Sequence, residues 1–228
     1  MLNAIFWDMD GTLVDSEPLW AEATYTMSEL MGKRLTPQQQ ARTTGANFDF
    51  TLDLCAKNAG LNPLTIDRDY WRSTLYTEVK KQLATGLDLL PGVKQLLEAF
   101  SAQHMPMYIT TNTEREVAEV SFQAIGKHYF RNTLCGDEVL AAKPAPDMYL
   151  RAAQLAHSAP QDCLVFEDSV TGVSAALAAG CQVIAIDHDP NQAIPPAATK
   201  LSTLHGSPTL DGITTDMIHT WFNNMRKR

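Results

Sequence analysis

The sequence has no hydrophobic run near the ~18 residues that a membrane-spanning helix needs, and no basic segment with a long hydrophobic stretch behind it at its start. Basic residues are also in the minority, because 18 lysines and arginines stand against 26 aspartates and glutamates, for a formal net charge of −8. An acidic surface disfavours binding to nucleic acid or to anionic membranes. We therefore expect a cytoplasmic protein with no nucleic-acid or membrane partner, and we expect a monomer.

Cysteine is scarce, and its spacing excludes the common cysteine-based sites. The four cysteines are far apart and form no C-x-x-C pair, so we expect small buried hydrophobic residues rather than zinc ligands or disulfides. The six histidines are equally scattered. Only His188, in the sequence DHDP, lies beside carboxylates, and a turn explains this histidine better than a metal-binding or catalytic role.

The most informative stretch is Leu2–Asp15, LNAIFWDMDGTLVD. Leu2–Trp7 is a short apolar run, which predicts a buried strand. Asp8 and Asp10 follow it directly, at the position where open α/β sheets bind ligands. Two carboxylates this close are not both ionised comfortably without a cation or a shared proton. The pair therefore indicates a metal site, an acid catalyst, or both.

The rest of the chain divides into a helical part and an alternating part. From Leu19 to about Thr85 the sequence predicts only helices, whose aromatic residues we expect to form an internal core (Phe48, Phe50, Tyr70, Trp71 and Tyr76). From Leu87 onward, predicted strands and helices alternate as βαβ units require. We therefore predict an α/β fold, a doubly wound parallel (Rossmann-like) sheet from residues 1–14 and 87–228, with a helical domain of residues 15–86 inserted after the first strand.

A polar segment, Thr110–Thr113, follows the second predicted strand. The Thr111 hydroxyl, the Asn112 amide and the backbone N–H groups at the start of the next helix could accept an anion. Thr113 and Glu116 match a capping box, which predicts that Thr113 has a structural role at that helix N-terminus.

Two further polar segments follow later predicted strands. Lys143 lies in the sequence KPAP, where two prolines stiffen the loop and a fixed cation suits a phosphoryl or carboxylate site. Glu167 and Asp168 begin the sequence EDSVTG and supply oxygen ligands that Asp8 and Asp10 lack for an octahedral Mg²⁺ site. Asp168 or the next residue, Ser169, could instead be only an N-cap.

In order, these motifs are DMDGT from Asp8, TN from Thr111, KP from Lys143 and EDSVTG from Glu167. Together they resemble the four motifs of the haloacid dehalogenase-like hydrolase superfamily, and the helical insertion is similar to its type-1 cap domain. The resemblance covers the whole chain. It is strongest to the branch that contains β-phosphoglucomutases and sugar-phosphate phosphatases.

The resemblance implies a role for each residue of these motifs. Asp8 is similar to the nucleophile that forms an aspartyl-phosphate, and Asp10 to the general acid that then becomes the general base. The resemblance further implies Mg²⁺, held by Asp8, the Asp10 backbone carbonyl and Asp168, with Glu167 as an additional ligand or as a residue that orients the ligands. The group that binds the phosphate would consist of Thr111, the Asn112 backbone and Lys143.

Differences from the β-phosphoglucomutases of this branch narrow the predicted activity. Where those enzymes have a histidine shortly after their DG motif, this sequence has Trp20, and where they have the arginine of a G-x-x-R segment, this sequence has Phe48. We therefore predict a magnesium-dependent phosphatase of small phosphorylated metabolites, such as sugar or polyol phosphates. A phosphomutase is the main alternative, and a non-catalytic module that binds phosphorylated metabolites is a third.

Overall fold

The computed structural model describes residues 1–44 and 46–227. The chain divides into two compact units. The first unit comprises Met1–Asp15 and Asp88–Arg228, and the second comprises Ser16–Leu87.

The first unit contains a six-stranded sheet in which each pair of neighbouring strands is parallel. The strands are β1 (Ala4–Trp7), β2 (Met107–Thr110), β3 (Asn132–Leu134), β4 (Cys163–Glu167), β5 (Gln182–Ala185) and β6 (Thr199–Lys200). Their order across the sheet is β3-β2-β1-β4-β5-β6, so the chain winds outward in both directions from β1. The predicted doubly wound α/β fold is confirmed.

Ten α-helices accompany these strands among the described residues. They are α1 (Glu17–Leu30), α2 (Pro37–Gln40), α3 (Phe48–Asn58), α4 (Arg68–Gly86), α5 (Val93–Ala102), α6 (Arg115–Ile125), α7 (Asp147–Leu155), α8 (Val170–Ala178), α9 (Leu201–His205) and α10 (Thr215–Met225). Helices α1 to α4 belong to the second unit, which confirms the helical insertion after β1. Across the described part of the chain, none of the helices combines the length and the apolar character needed to cross a membrane.

The central strands of the sheet are buried on both faces. All four residues of β1 and all five of β4 are buried, as parallel sheets with helices on both faces require. On one face of the sheet Trp7 stacks on Phe166, with ring centroids 4.3 Å apart. On the other face Phe6 meets Tyr108 edge to face at 5.7 Å. This packing fixes the carboxyl ends of β1 and β4 beside each other, immediately before Asp8 and Asp168.

The second unit is a small helical bundle in which α1 packs along α4. Its buried positions are mostly aliphatic, among them Met27, Leu52, Val79 and Leu83. Helices α3 and α4 are also joined by ion pairs, because Arg68 of α4 lies 2.8 Å from Asp49 and 3.0 Å from Asp53 of α3.

Most of the aromatic residues predicted to form the core of this unit do not do so. Tyr76 is buried, but Phe48 and Trp71 are only half-buried, and Phe50 and Tyr70 are exposed. Their spacing is compatible with a helix, but aliphatic side chains fill the interior instead. That part of the prediction was wrong.

Candidate active site

The first strand ends in a tight turn that presents two carboxylates. The Asp8 backbone N–H donates to the Phe166 carbonyl at 3.0 Å, so Asp8 is still held against β4. Gly11 then takes a φ of +82°, and its N–H donates to the Val14 carbonyl at 2.9 Å. A side chain at Gly11 would also collide with the Asp168 carboxylate. Glycine is therefore required here for both its conformation and its size.

Lys143 joins the ends of β1 and β4 through its ammonium group. Its Nζ lies 2.6 Å from Asp8 Oδ1 and 2.5 Å from Glu167 Oε1, and it donates to the Thr110 carbonyl at 2.9 Å. Burial opposes the charged ammonium, but Asp8 and Glu167 outweigh this effect and raise the pKa of Lys143 well above its ordinary value. Lys143 is thus a fixed, fully charged cation beside Asp8.

Glu167 is held from several directions. Tyr149 of α7 donates its hydroxyl to Glu167 Oε1 at 3.0 Å, while the N–H and hydroxyl of Ser169 donate to Oε2 at 3.0 and 2.9 Å. Gly172, in the first turn of α8, lies so close that any side chain there would collide with the Glu167 carboxylate. Both oxygens of Glu167 therefore already have protein donors. Ser169 also caps α8 by accepting from the Gly172 N–H.

Three carboxylates converge at this point: ligand oxygens of Asp8, Glu167 and Asp168 lie within 4.8 Å of one another. Burial raises the pKa of Asp8 well above its ordinary value, and the charge of Glu167 adds to this effect. Burial, again with Glu167, raises the pKa of Asp168 to about 7. The single ammonium of Lys143 does not balance three carboxylates, of which Asp8 and Glu167 are buried and Asp168 is partly buried. The site therefore fits an additional divalent cation with a preference for oxygen ligands.

Asp10 points to the loop that follows β2 rather than to this cluster. The Thr113 hydroxyl donates to Asp10 Oδ2 at 2.7 Å, and the Thr111 hydroxyl approaches the same oxygen at 3.4 Å. Helix α6 begins at Arg115, and its N-cap residue is Glu114. The capping box predicted for Thr113 and Glu116 is therefore wrong, because Thr113 lies before the helix and its hydroxyl binds Asp10 instead.

The Asn112 side chain has a role that the sequence did not suggest. Its Oδ1 accepts from the Lys143 backbone N–H at 3.0 Å, and its Nδ2 donates to the Lys143 carbonyl at 3.1 Å. The amide of Asn112 thus fixes the backbone of the lysine loop, in which the Lys143–Pro144 peptide is cis. For Asn112, the backbone N–H is therefore the candidate donor to a bound anion, rather than the side-chain amide.

The other residues considered from the sequence lie outside this cluster. The His188 ring forms a hydrogen bond with the Gly11 carbonyl at 2.9 Å. All four cysteines are buried and free, as expected. In the segment that resembles the G-x-x-R sequence, Gly45 lies outside the described residues, and Asn47 caps α3 by accepting from the Phe50 N–H at 2.9 Å.

The structure thus brings Asp8, Lys143, Glu167 and Asp168 into one cluster and places Asp10 and Thr111 beside each other. Two contributing side chains, Tyr149 and Thr113, were missed. Tyr149 is six residues after Lys143 in an amphipathic helix, so its spacing predicted only a core position. Thr113 matched a familiar helix-start pattern, and nothing in the sequence distinguished a cap from a carboxylate partner.

Comparison with known proteins is consistent with this site. The sequence profile described as haloacid dehalogenase-like hydrolase matches residues 5–186. The chain is 30% identical over 184 residues to a phosphorylated carbohydrates phosphatase of Thermotoga maritima, covering 80% of this chain and 84% of that protein. It is 32% identical over 193 residues to hexitol phosphatase A of Escherichia coli, covering 81% and 83% of the two chains.

The fold also matches solved structures. A β-phosphoglucomutase from Clostridium difficile superposes with a TM-score of 0.80 over 100% of both chains, at 16% sequence identity. At that identity the match reports the architecture alone.

Proposed function

Because this chain belongs to the haloacid dehalogenase-like hydrolases, we propose that it is a magnesium-dependent phosphatase that hydrolyses small phosphomonoesters through an aspartyl-phosphate. The observation that carries this proposal is the buried Asp8–Lys143 ion pair at 2.6 Å, at the carboxyl end of the central strand. A carboxylate fixed by a permanent cation, with Asp10 two residues away, suits in-line attack on phosphorus and proton transfer.

In the first step, Asp8 attacks the phosphorus atom, a bond forms between its carboxylate oxygen and phosphorus, and the bond from phosphorus to the alcohol oxygen breaks. Lys143 keeps its proton throughout, because Asp8 and Glu167 raise its pKa. It stabilises the negative charge that develops on the transferring group. The Thr111 hydroxyl and the Asn112 backbone N–H complete the binding of this group in our proposal.

Asp10 moves the protons. It gives a proton to the departing alcohol oxygen in the first step, and in the second step it takes a proton from the water that attacks the aspartyl-phosphate. That attack breaks the bond between phosphorus and the Asp8 oxygen and releases inorganic phosphate, which restores the Asp8 carboxylate. We assign to the helical unit Ser16–Leu87 the role of a type-1 cap, which excludes water until the second step.

The metal site follows from the three converging carboxylates. Asp8 and Asp168, with the Asp10 backbone carbonyl, would hold Mg²⁺, whose charge would offset that of the phosphoryl oxygens. Both oxygens of Glu167 already accept protein hydrogen bonds. We therefore favour a role for Glu167 in orienting Lys143 and Ser169 over one as an additional ligand.

The substrate class is proposed from the relatives and from two residues of the helical unit. The two relatives reported above are named for phosphorylated carbohydrates and for hexitol phosphates. Trp20 and Phe48 replace the histidine and the arginine of the mutase branch, so a second phosphate has no equivalent clamp at these positions. We therefore favour sugar and polyol monophosphates, and hydrolysis over phosphoryl transfer between sugars.

We also propose that the enzyme acts as a monomer in the cytoplasm. Its four cysteines are all free and buried, which suits a reducing compartment. Its net charge of −8 suits a protein that does not bind polyanions.

The test is a phosphate-release screen over sugar, polyol and other small phosphomonoesters, with Mg²⁺ and with EDTA. We expect release only with the metal, and loss of activity by more than about 10³-fold in Asp8→Asn, with its thermal unfolding still cooperative. A hexose 1-phosphate in the panel separates the alternatives, because a mutase would yield the 6-phosphate instead of free sugar. If the wild type releases no phosphate from any ester, the proposal is wrong.

A further inference from the structure

Thr113 donates a short hydrogen bond to the Asp10 carboxyl group. Thr113 Oγ1 lies 2.7 Å from Asp10 Oδ2, whereas Thr111 Oγ1 lies 3.4 Å from the same oxygen. The Thr113 hydroxyl donates this bond and Asp10 Oδ2 accepts it. A separation of 2.7 Å is typical of a strong hydroxyl–carboxylate bond, and 3.4 Å is long for one.

The backbone of Thr113 is fixed on both sides. Its N–H donates to Thr111 Oγ1 at 3.0 Å, and its carbonyl accepts from the Gly136 N–H at 3.4 Å. Helix α6 begins only at Arg115 and takes Glu114 as its N-cap. The Thr113 hydroxyl is therefore not used to cap the helix, and the fixed backbone directs it at Asp10.

We propose that Thr113 is a positioning residue for Asp10, an inference that rests on the phosphatase function proposed above. By holding Oδ2, the Thr113 hydroxyl restricts rotation of the Asp10 carboxyl group, so that the proton it transfers is already aligned with the departing oxygen. Thr113 keeps its own proton. In the first step the proton passes from Asp10 to the alcohol oxygen as the bond to phosphorus breaks and the Asp8–phosphorus bond forms.

This role predicts an effect that depends on the leaving group. An alkyl oxygen is a poor leaving group and needs the proton from Asp10, whereas a nitrophenolate leaves without one. Loss of the Thr113 hydroxyl should therefore slow the cleavage of alkyl phosphates much more than that of an aryl phosphate. A threonine that instead bound the phosphoryl group, which both substrates share, would affect both equally.

The experiment compares Thr113→Val with the wild type on glycerol phosphate and on p-nitrophenyl phosphate, both with Mg²⁺. The ratio kcat/KM reports only on steps up to formation of the aspartyl-phosphate, so the second step does not obscure the comparison. We expect kcat/KM to fall about 10- to 100-fold for glycerol phosphate, mostly in kcat, and less than about 3-fold for p-nitrophenyl phosphate.

Two variants serve as matched comparisons. Thr113→Ser keeps the hydroxyl and should restore most of the activity on glycerol phosphate. Thr220→Val removes a hydroxyl that donates at 2.9 Å to the Asp216 carbonyl within α10, and it should change neither substrate by more than about twofold. If Thr113→Val does not fold, Thr113→Ala provides the same comparison.

Equal losses on the two substrates would overturn this inference while leaving the phosphatase function in place, and so would the absence of any loss. A wild-type protein that cleaves neither ester would overturn the proposed function, and this inference with it.

Discussion

Lys143 and Arg68 each form ion pairs with two carboxylates, but at very different depths. In the first unit, Lys143 lies 2.6 Å from Asp8 and 2.5 Å from Glu167. The Lys143 side chain is 2% exposed, that of Asp8 10% and that of Glu167 0%. In the helical unit, Arg68 lies 2.8 and 3.0 Å from two aspartates of α3, and its side chain is 39% exposed. The distances are similar, but the surroundings are not.

In our proposal the buried pairs of Lys143 serve catalysis, whereas the exposed pairs of Arg68 join two helices. Exposed pairs contribute little to stability, because water and salt screen them and long side chains lose entropy in forming them. Buried pairs must first offset the cost of removing charges from water, and breaking one leaves a charge without a partner. Forming the Lys143 cluster therefore requires a large desolvation free energy, and removing one of its charges strongly destabilises the fold. Both properties suit a site whose charges must be fixed before the substrate binds.

The largest expected effect comes from Lys143→Met, which keeps the length of the side chain and removes its charge. Asp8 and Glu167 would lose their buried partner, so we expect the free energy of unfolding to fall by about 3–5 kcal/mol. We also expect phosphatase activity to fall by at least about 10²-fold. Urea unfolding and phosphate release would measure the two effects.

Lys94→Met is the control for this experiment, because Lys94 is an exposed residue in the first turn of α5. It should change the free energy of unfolding by no more than about 0.5 kcal/mol. Equal destabilisation by the two variants would contradict the special role of the buried ammonium.

We expect Asp168→Asn to produce a smaller change in the free energy of unfolding, in the opposite direction. Burial raises the pKa of Asp168 from 3.8 to about 7, so the folded protein holds a proton that the unfolded chain releases. The stability of the metal-free protein should therefore fall as pH rises from about 4 to 7 and remain low above that. Removing the carboxylate should raise the free energy of unfolding at pH 8 by at most about 4 kcal/mol.

Thermal unfolding in EDTA at pH 8 and pH 4 measures this effect, which should be absent at pH 4. Adding Mg²⁺ at pH 8 should stabilise the wild type and have much less effect on Asp168→Asn. The outcome that would contradict this interpretation is a variant destabilised to the same extent at both pH values.

The smallest effect is expected from Arg68→Ala, which removes both exposed ion pairs and a hydrogen bond to the Pro63 carbonyl at 3.3 Å. We expect the unfolding temperature to change by no more than about 2 °C, because exposed pairs are weak. In about 1 M sodium chloride the change should be smaller still. A large, salt-insensitive loss would show that depth does not separate the two kinds of ion pair.

The sequence predicted that the segments of the site's side chains would converge, because a parallel sheet brings the carboxyl ends of its strands to the same edge. Asp8 and Asp10 follow β1, Glu167 ends β4 and Asp168 follows it, while Lys143 lies in the connection between β3 and α7. Contacts that depend on the direction of a side chain could not be predicted from the sequence. The sequence gives no sign that the Asn112 amide binds the lysine loop or that the Thr113 hydroxyl binds Asp10.

The fold likewise has features that the sequence pattern predicted and features that it did not. Alternation of strands and helices predicted the sheet correctly, but β6, only two residues long, and the short helix α9 were not predicted. Elements of that length carry too few residues for a periodic pattern. In the helical unit, spacing identified the helices but not which aromatic residues are buried, because Tyr70 and Tyr76 are both compatible with a helix and only Tyr76 faces the interior.

The position of β1 has a consequence for synthesis of the chain. This strand leaves the ribosome before its neighbours on the two sides, which begin only at Met107 and Cys163. The nascent chain thus carries Asp8 without the lysine that pairs with it until residue 143 has been made. The helices of Ser16–Leu87, whose contacts are local, are available to fold first. In our proposal Asp168 helps to hold the metal, so we expect any fragment that ends before Asp168 to be inert.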